Sequence, residues 1–161
     1  MKKKYIVTSI VILGVLSVIF FIKGYYPFGS QSIIWSDMHE QITAMYYHFY
    51  DSIYNSKSLF VDFNSGGAIN FVGVLAYYIL SPFTLIILFF PRELIDNAVS
   101  IIVALKILLS GLTCLYFISK TFNKIDDNYK IILSLLYAFS SYSLTLYIIT
   151  PWIDIVYLFP M

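Results

Sequence analysis

The sequence predicts an all-α, multispanning helical membrane protein. Three observations predict it. Of 161 residues, 60% are hydrophobic and 12% charged, whereas a soluble domain has roughly a quarter of its residues charged. Four long apolar runs, 5–22, 71–90, 98–119 and 131–149, divide the chain. The runs are continuously apolar instead of alternating, so they read as helices and not as strands of a membrane barrel. Ten Lys/Arg against nine Asp/Glu leave no basic surface for nucleic acid. The single cysteine, Cys114, excludes an internal disulfide and a cysteine-cluster metal site.

Crossing ~30 Å of hydrocarbon takes about 20 apolar residues. The first run, 5–22, follows Lys2, Lys3 and Lys4 and is followed by Lys23-Gly24-Tyr25-Tyr26-Pro27. No small-x-small cleavage site follows it, so it reads as an uncleaved anchor in the cell membrane with a cytoplasmic N-terminus. Residues 23–70 form an external loop containing a helix over 37–55. In that helix Ile42, Tyr46, Phe49 and Ile53 mark one face at spacings of four, three and four. The helix either lies in the membrane interface or packs on the rest of the protein. Asn64, Ser65, Gly66 and Gly67 predict a loop.

The run 71–90 spans or re-enters. If it spans, Lys2, Lys3, Lys4 and Arg92 lie inside against Lys23, Lys57, Lys120, Lys124 and Lys130 outside. If it dips into the outer leaflet and returns, Lys2, Lys3, Lys4, Lys120, Lys124 and Lys130 lie inside against Lys23, Lys57 and Arg92. The second division obeys the positive-inside bias. Ser81-Pro82 sits mid-run, where proline breaks a helix, so two short helices meeting near Pro82 are expected. Then 98–119 runs inward and 131–149 outward, and Asp37, Glu40, Asp51, Asp62, Glu93, Asp96 and Asp154 all fall outside. Residues 152–161 read as the start of a further helix, and the whole as a single incomplete membrane domain, the N-terminal piece of a longer chain.

Three residues stand out for chemistry. Asp37, in Trp35-Ser36-Asp37-Met38-His39-Glu40, either caps the following helix, with Glu40 completing a capping box, or serves as a general base at the outer face. Asp154, between two apolar stretches, is either a water-facing loop residue or a functional acid emerging on the same side as Asp37. Lys106 lies inside the run 98–119; it snorkels to the interface, or it meets a lipid phosphate or an acid. His39 and His48 are nine apart, so no metal site is assigned. No phosphate loop, dinucleotide fingerprint, nucleophile elbow or zinc-protease stretch occurs. Ala104, Ser110, Gly111 and Cys114 suit close helix packing.

Several short motifs, in order, carry a family resemblance. They are the Lys-led anchor, Ser36-Asp37 with the aromatic helix after it, Ser65-Gly66-Gly67-Ala68-Ile69-Asn70-Phe71, and Ala76-Tyr77-Tyr78-Ile79-Leu80-Ser81-Pro82-Phe83. Phe90-Pro91-Arg92-Glu93, Leu105-Lys106-Ile107 with Ser110-Gly111-Leu112-Thr113, Leu136-Tyr137-Ala138-Phe139-Ser140 and Trp152-Ile153-Asp154 with Pro160 follow. On these the chain resembles the N-terminal part of the YfhO family of bacterial multispanning membrane proteins. The resemblance implies the N-terminal part of a GT-C-type glycosyltransferase fold, with interfacial or re-entrant helices in the first external loop. It implies transfer of a sugar from a polyprenyl-phosphate carrier to a cell-envelope polymer such as teichoic acid on the outer membrane face. By the same resemblance Asp37 and Asp154 are the catalytic acids and Lys106 the lipid-phosphate contact, with no cofactor assigned. Membrane lipid and the remainder of the full-length chain are the other partners. Because full members are several times longer, this stretch alone is expected to be inactive. Two rival readings are a non-catalytic membrane protein binding lipid or a partner subunit, and a transporter fragment; the helices 98–119 and 131–149 offer few polar residues for the latter.

Overall fold

A computed structural model of the chain describes residues 2–56, 58–62 and 69–161. The Asn64–Gly67 loop, the Ser65–Ala68 part of the family motif and Lys57 lie outside the described residues. The elements of the described chain are helices, apart from a two-residue ladder in which β1 (Val61–Asp62) pairs antiparallel with β2 (Ile69–Asn70) and an isolated bridge between Tyr25 and Gln31 in the irregular stretch 24–36. By length and composition, three helical stretches can cross a membrane: Lys2–Lys23, Arg92–Thr121 and Asp127–Ile148.

Helix α1 (Lys2–Lys23) buries only a narrow stripe, Thr8, Ile12, Leu16 and Phe20, at the four-residue spacing of one helix face. Its other sides carry exposed Ile6, Ile10, Val18 and Phe21, as a helix facing lipid does. After a turn at Gly24, whose φ of 65° suits glycine, the chain reaches a π-helical stretch (Met38–Thr43) that continues into α2 (Ala44–Tyr54). The predicted face is used against the protein: Ile42, Tyr46 and Phe49 are buried, while Ile53 stays exposed. The helix thus packs on the rest of the protein.

Next, α3 (Phe71–Val74) runs into a π-helical turn (Leu75–Ile79). A 3₁₀ helix (Pro82–Phe89) then leaves at 99° to it. The break follows from Pro82, which fixes its own φ and forces Ser81 into extended backbone (ψ 132°). A 3₁₀ turn (Arg92–Leu94) leads into α4 (Ile95–Thr121), the central helix, which packs on α1, α5 (Asp127–Ala138) and α7 (Thr150–Leu158).

The run 131–149 is not one continuous helix. It ends at Ala138, restarts as α6 (Ser141–Thr145) under the Ser140 hydroxyl, which accepts from the Ser143 amide (3.4 Å), and finishes in a 3₁₀ turn (Leu146–Ile148). Apolar composition alone does not reveal this interruption, because serine competes locally for backbone hydrogen bonds.

Two contacts set the relative ends of the bundle. Lys4 Nζ lies 2.9 Å from Asp127 Oδ1, so the start of α1 and the turn between α4 and α5 share one end. Gly111 marks the crossing of α1, α4 and α5; a Cβ there would collide with Ile12 and stand 3.2 Å from Ala138 Cβ. Since α4 runs back toward the start of α1, residues 24–94 leave and return at the same end of the bundle.

Candidate functional site

The buried polar cluster of the molecule forms where α2, the Ser81 break, α4 and α7 meet. Lys106 projects from α4 at a depth of roughly 16 Å from that helix's start, at 1.5 Å per residue. Its side chain is fully buried. Its Nζ lies 2.7 Å from Asp154 Oδ1 and donates to the Thr150 carbonyl at 2.9 Å. A buried ammonium requires such partners, because leaving water costs several kcal/mol per ion.

Asp154, on α7, keeps 18% of its side chain exposed. The Ser81 hydroxyl donates to the same Oδ1 at 3.1 Å, so the proline break that turns the chain also delivers a hydrogen-bond donor to the acid. The Thr150 hydroxyl pairs with Tyr46 Oη (2.9 Å), tying α2 to the start of α7. Burial pushes the Tyr46 phenol above its ordinary range, and the negative charge of Asp154 adds to this, so the ring serves as a neutral hydroxyl. Tyr157 borders the acid from its own helix.

Asp37 occupies a different position. It is exposed, and its side chain makes no capping hydrogen bond; the capping box is not formed. The helix begins instead under the backbone carbonyl of Ser36, which accepts from His39 (2.9 Å) and Glu40 (3.2 Å). Ser36 itself adopts a left-handed φ of 51°, a conformation that costs of order 1 kcal/mol or more for a residue with a Cβ. Asp37 is thereby left free at the rim. Beside it, a set of side-chain contacts ties the π-helical stretch to α7. One turn on, Gln41 Oε1 accepts from Tyr78 Oη (3.0 Å), Tyr78 packs edge-on against Tyr77 (4.6 Å), and Tyr77 Oη accepts from Trp152 Nε1 (3.1 Å). Trp152 is two residues before Asp154.

A second fixed acid lies on α2. Asp51 is buried and receives Arg92 in a bidentate pair, Nε at 2.8 Å and Nη2 at 3.1 Å, with the Asn55 amide at 2.9 Å. Arg92 also lies 4.9 Å from the centre of the Tyr47 ring, and Tyr47 donates to Asp96 at 3.1 Å. This group fastens α2 to the start of α4.

Of the three residues singled out from sequence, the structure joins Lys106 to Asp154 and leaves Asp37 on the rim. Of the partners open to Lys106, the structure supplies the acid. Ser81, Thr150 and Tyr46 were not foreseen as members of the cluster. Ser81 and Thr150 each precede a proline, which marks both as helix boundaries but does not say which way their polar groups face. Among the described residues no three His, Cys, Asp or Glu side chains come close enough to hold a metal.

The family model for the bacterial membrane protein YfhO matches residues 9–161. The chain belongs to the YfhO family. The match takes in α1 from its second turn through α7, and therefore every residue of the cluster and of the Asp37 rim. No curated protein and no solved structure matches this YfhO chain.

Proposed function

We propose that this chain contributes the outer-face acids of a GT-C-type glycosyltransferase, which moves a sugar from a polyprenyl-phosphate carrier to a cell-envelope polymer such as teichoic acid. Membership of a bacterial membrane protein family supports the setting. The observation that carries the chemistry is the division of labour between the two aspartates: one carboxylate free at a rim, the other half-buried and oriented by a lysine. In this reading the rim is extracytoplasmic, the N-terminus is cytoplasmic, and the bent pair of helices on either side of Ser81 re-enters without crossing. The shared end of the α1 start and the α4–α5 turn supports that arrangement.

Asp37 accepts the proton of an acceptor hydroxyl. The freed oxygen attacks the sugar's anomeric carbon, and the bond from that carbon to the phosphate oxygen breaks. The lipid phosphate leaves with the electron pair, a leaving group good enough to need no strong acid. Asp154 steers the acceptor, and Lys106 is a positioning residue that fixes the Asp154 carboxylate. The lipid phosphate comes within reach of the Lys106 charge only when Asp154 turns away from it. An open cavity of about 510 Å³, walled by Tyr25, Tyr147 and Trp35, which is two residues before Asp37 in the chain, with Ser32 and Thr145 as its polar lining, supports recognition of a sugar ring there.

The test is Asp37→Asn in the full-length protein, with envelope-polymer glycosylation measured at matched protein levels. Glycosylation is expected to fall by about 10²–10⁴-fold, the usual worth of a general base. Glycosylation equal to wild type removes Asp37 from the chemistry.

A further inference from the structure

The end of the bundle where α1 begins and α4 finishes contains a cavity of about 490 Å³, lined by Lys2, Lys4, Tyr5, Tyr116, Ser119, Lys120 and Asn123. It lies some 14 residues along α4 from Lys106, roughly 21 Å at 1.5 Å per residue, and plays no part in the acid cluster. Three lysines converge on it, but their charges are not equally free. Lys4 is engaged by Asp127 (2.9 Å) and so holds the wall. Among the described residues, Lys2 and Lys120 have no carboxylate partner; the Lys120 ammonium sits 5.8 Å from the centre of the Tyr116 ring. Independently, the Ser119 hydroxyl oxygen is buried and has no hydrogen-bond partner among the described residues. An unpaired buried hydroxyl is costly as it stands, and Lys2 and Lys120 beside it are exposed, free to turn to a ligand. An oxyanion in the cavity would satisfy the hydroxyl and attract both cations.

We propose that this cavity binds the phosphate headgroup of an anionic membrane phospholipid, with Lys2 and Lys120 as cations and Ser119 as hydroxyl donor. A lipid fits better than a free ion because the rim continues into lipid-facing side chains. Ile6 on α1 and Tyr116 and Phe117 on α4 are all exposed, and Tyr5 and Tyr116 are the ring types that settle at headgroup depth. Basic pockets between membrane helices are suited to such headgroups. The site does not depend on the transferase reading.

Native mass spectrometry of the detergent-solubilised full chain, titrated with phosphatidylglycerol or phosphatidylcholine, tests this. Phosphatidylglycerol is expected to bind at least tenfold more tightly. The pair Lys2→Gln and Lys120→Gln should reduce that preference by about fivefold per lysine, Ser119→Ala by less, and Lys120→Arg should keep it. Lys23→Gln, at the opposite end of α1, should change nothing. Helical circular dichroism and an unchanged melting temperature certify each variant as folded. Equal binding of the two lipids, or wild-type preference in the folded double-Gln protein, overturns the proposal. So does displacement of phosphatidylglycerol by millimolar inorganic phosphate, which makes the cavity a free-anion site.

Discussion

Two ion pairs of this protein, Lys106–Asp154 and Arg92–Asp51, are built in opposite senses. In Lys106–Asp154 the cation is wholly enclosed and the carboxylate keeps 18% of its side-chain surface. In Arg92–Asp51 the carboxylate is enclosed, at 4%, and the cation keeps 48%. The difference teaches which pair is available for chemistry. An enclosed carboxylate held by a bidentate guanidinium and an amide has no route to a reactant and works as a strut between α2 and α4. A carboxylate that is gripped from within by a lysine and still reaches outward is oriented and accessible together. Asp37, on the rim with no capping bond, completes the contrast by being accessible without being gripped.

The largest expected effect comes from breaking the inward grip. Lys106→Ala should destabilise the protein by about 3–5 kcal/mol, since it leaves a largely buried carboxylate unpaired. Denaturant unfolding in detergent micelles measures it. The double variant Lys106→Met with Asp154→Leu should recover most of the loss, because replacing both charges by apolar groups is nearly neutral. Failure of the double variant to recover would mean that Asp154 holds Ser81, and through it the break, as much as it balances Lys106.

Asp51→Asn should cost less, about 1–3 kcal/mol. Water reaches Arg92, 48% exposed, once its partner is neutral, whereas the Asp154 carboxylate left by Lys106→Ala keeps only 18% of its surface. A loss as large as that of Lys106→Ala would erase the distinction between the two pairs.

A smaller effect concerns pH beside the strut. Burial and then the charge of Asp96 push the Tyr47 phenol up to about 12. Its proton is therefore retained in the folded chain at pH values where the unfolded chain, near 10, has released it. The stability it contributes is whole below pH 10 and falls as pH rises toward 12. Tyr47→Phe should flatten that alkaline slope in unfolding measurements.

The smallest effect belongs to Lys4–Asp127 at the surface. The Lys4 ammonium meets an exposed carboxylate at 2.9 Å, where solvent screens the pair. Asp127→Asn should lower the melting temperature only slightly, and about 1 M salt should produce the same small loss in the wild type, where the Debye length is only ~3 Å.

Much of this arrangement was legible in the sequence wherever it depends on local chemistry. The face of Ile42, Tyr46 and Phe49 followed from spacing, and the break at Ser81-Pro82 from the geometry of proline. Lys106 and Asp154 were conspicuous one at a time, as charges amid apolar neighbours. That they form one pair was not legible. They sit 48 positions apart on separate helices, and the pairing depends on how α4 and α7 are rotated about their axes, which is settled by packing. The Arg92–Asp51 strut was missed for the same reason: the two residues lie 41 positions apart on separate elements. The interruption at Ser140 was hidden because Ser140, Ser141, Ser143 and Thr145 add hydroxyls without charge, so the stretch still reads as one uncharged run.

Gly111 also has a mechanical consequence. A plain hydrophobic anchor can adapt to thicker or thinner bilayers by sliding along its neighbours. Here Ile12 sits in the notch that a missing side chain leaves, with Ala138 bordering the same notch, so the vertical register of the anchor is locked to the central helix. A change in bilayer thickness must then be met by tilting the three helices as one body or by deforming the surrounding lipid.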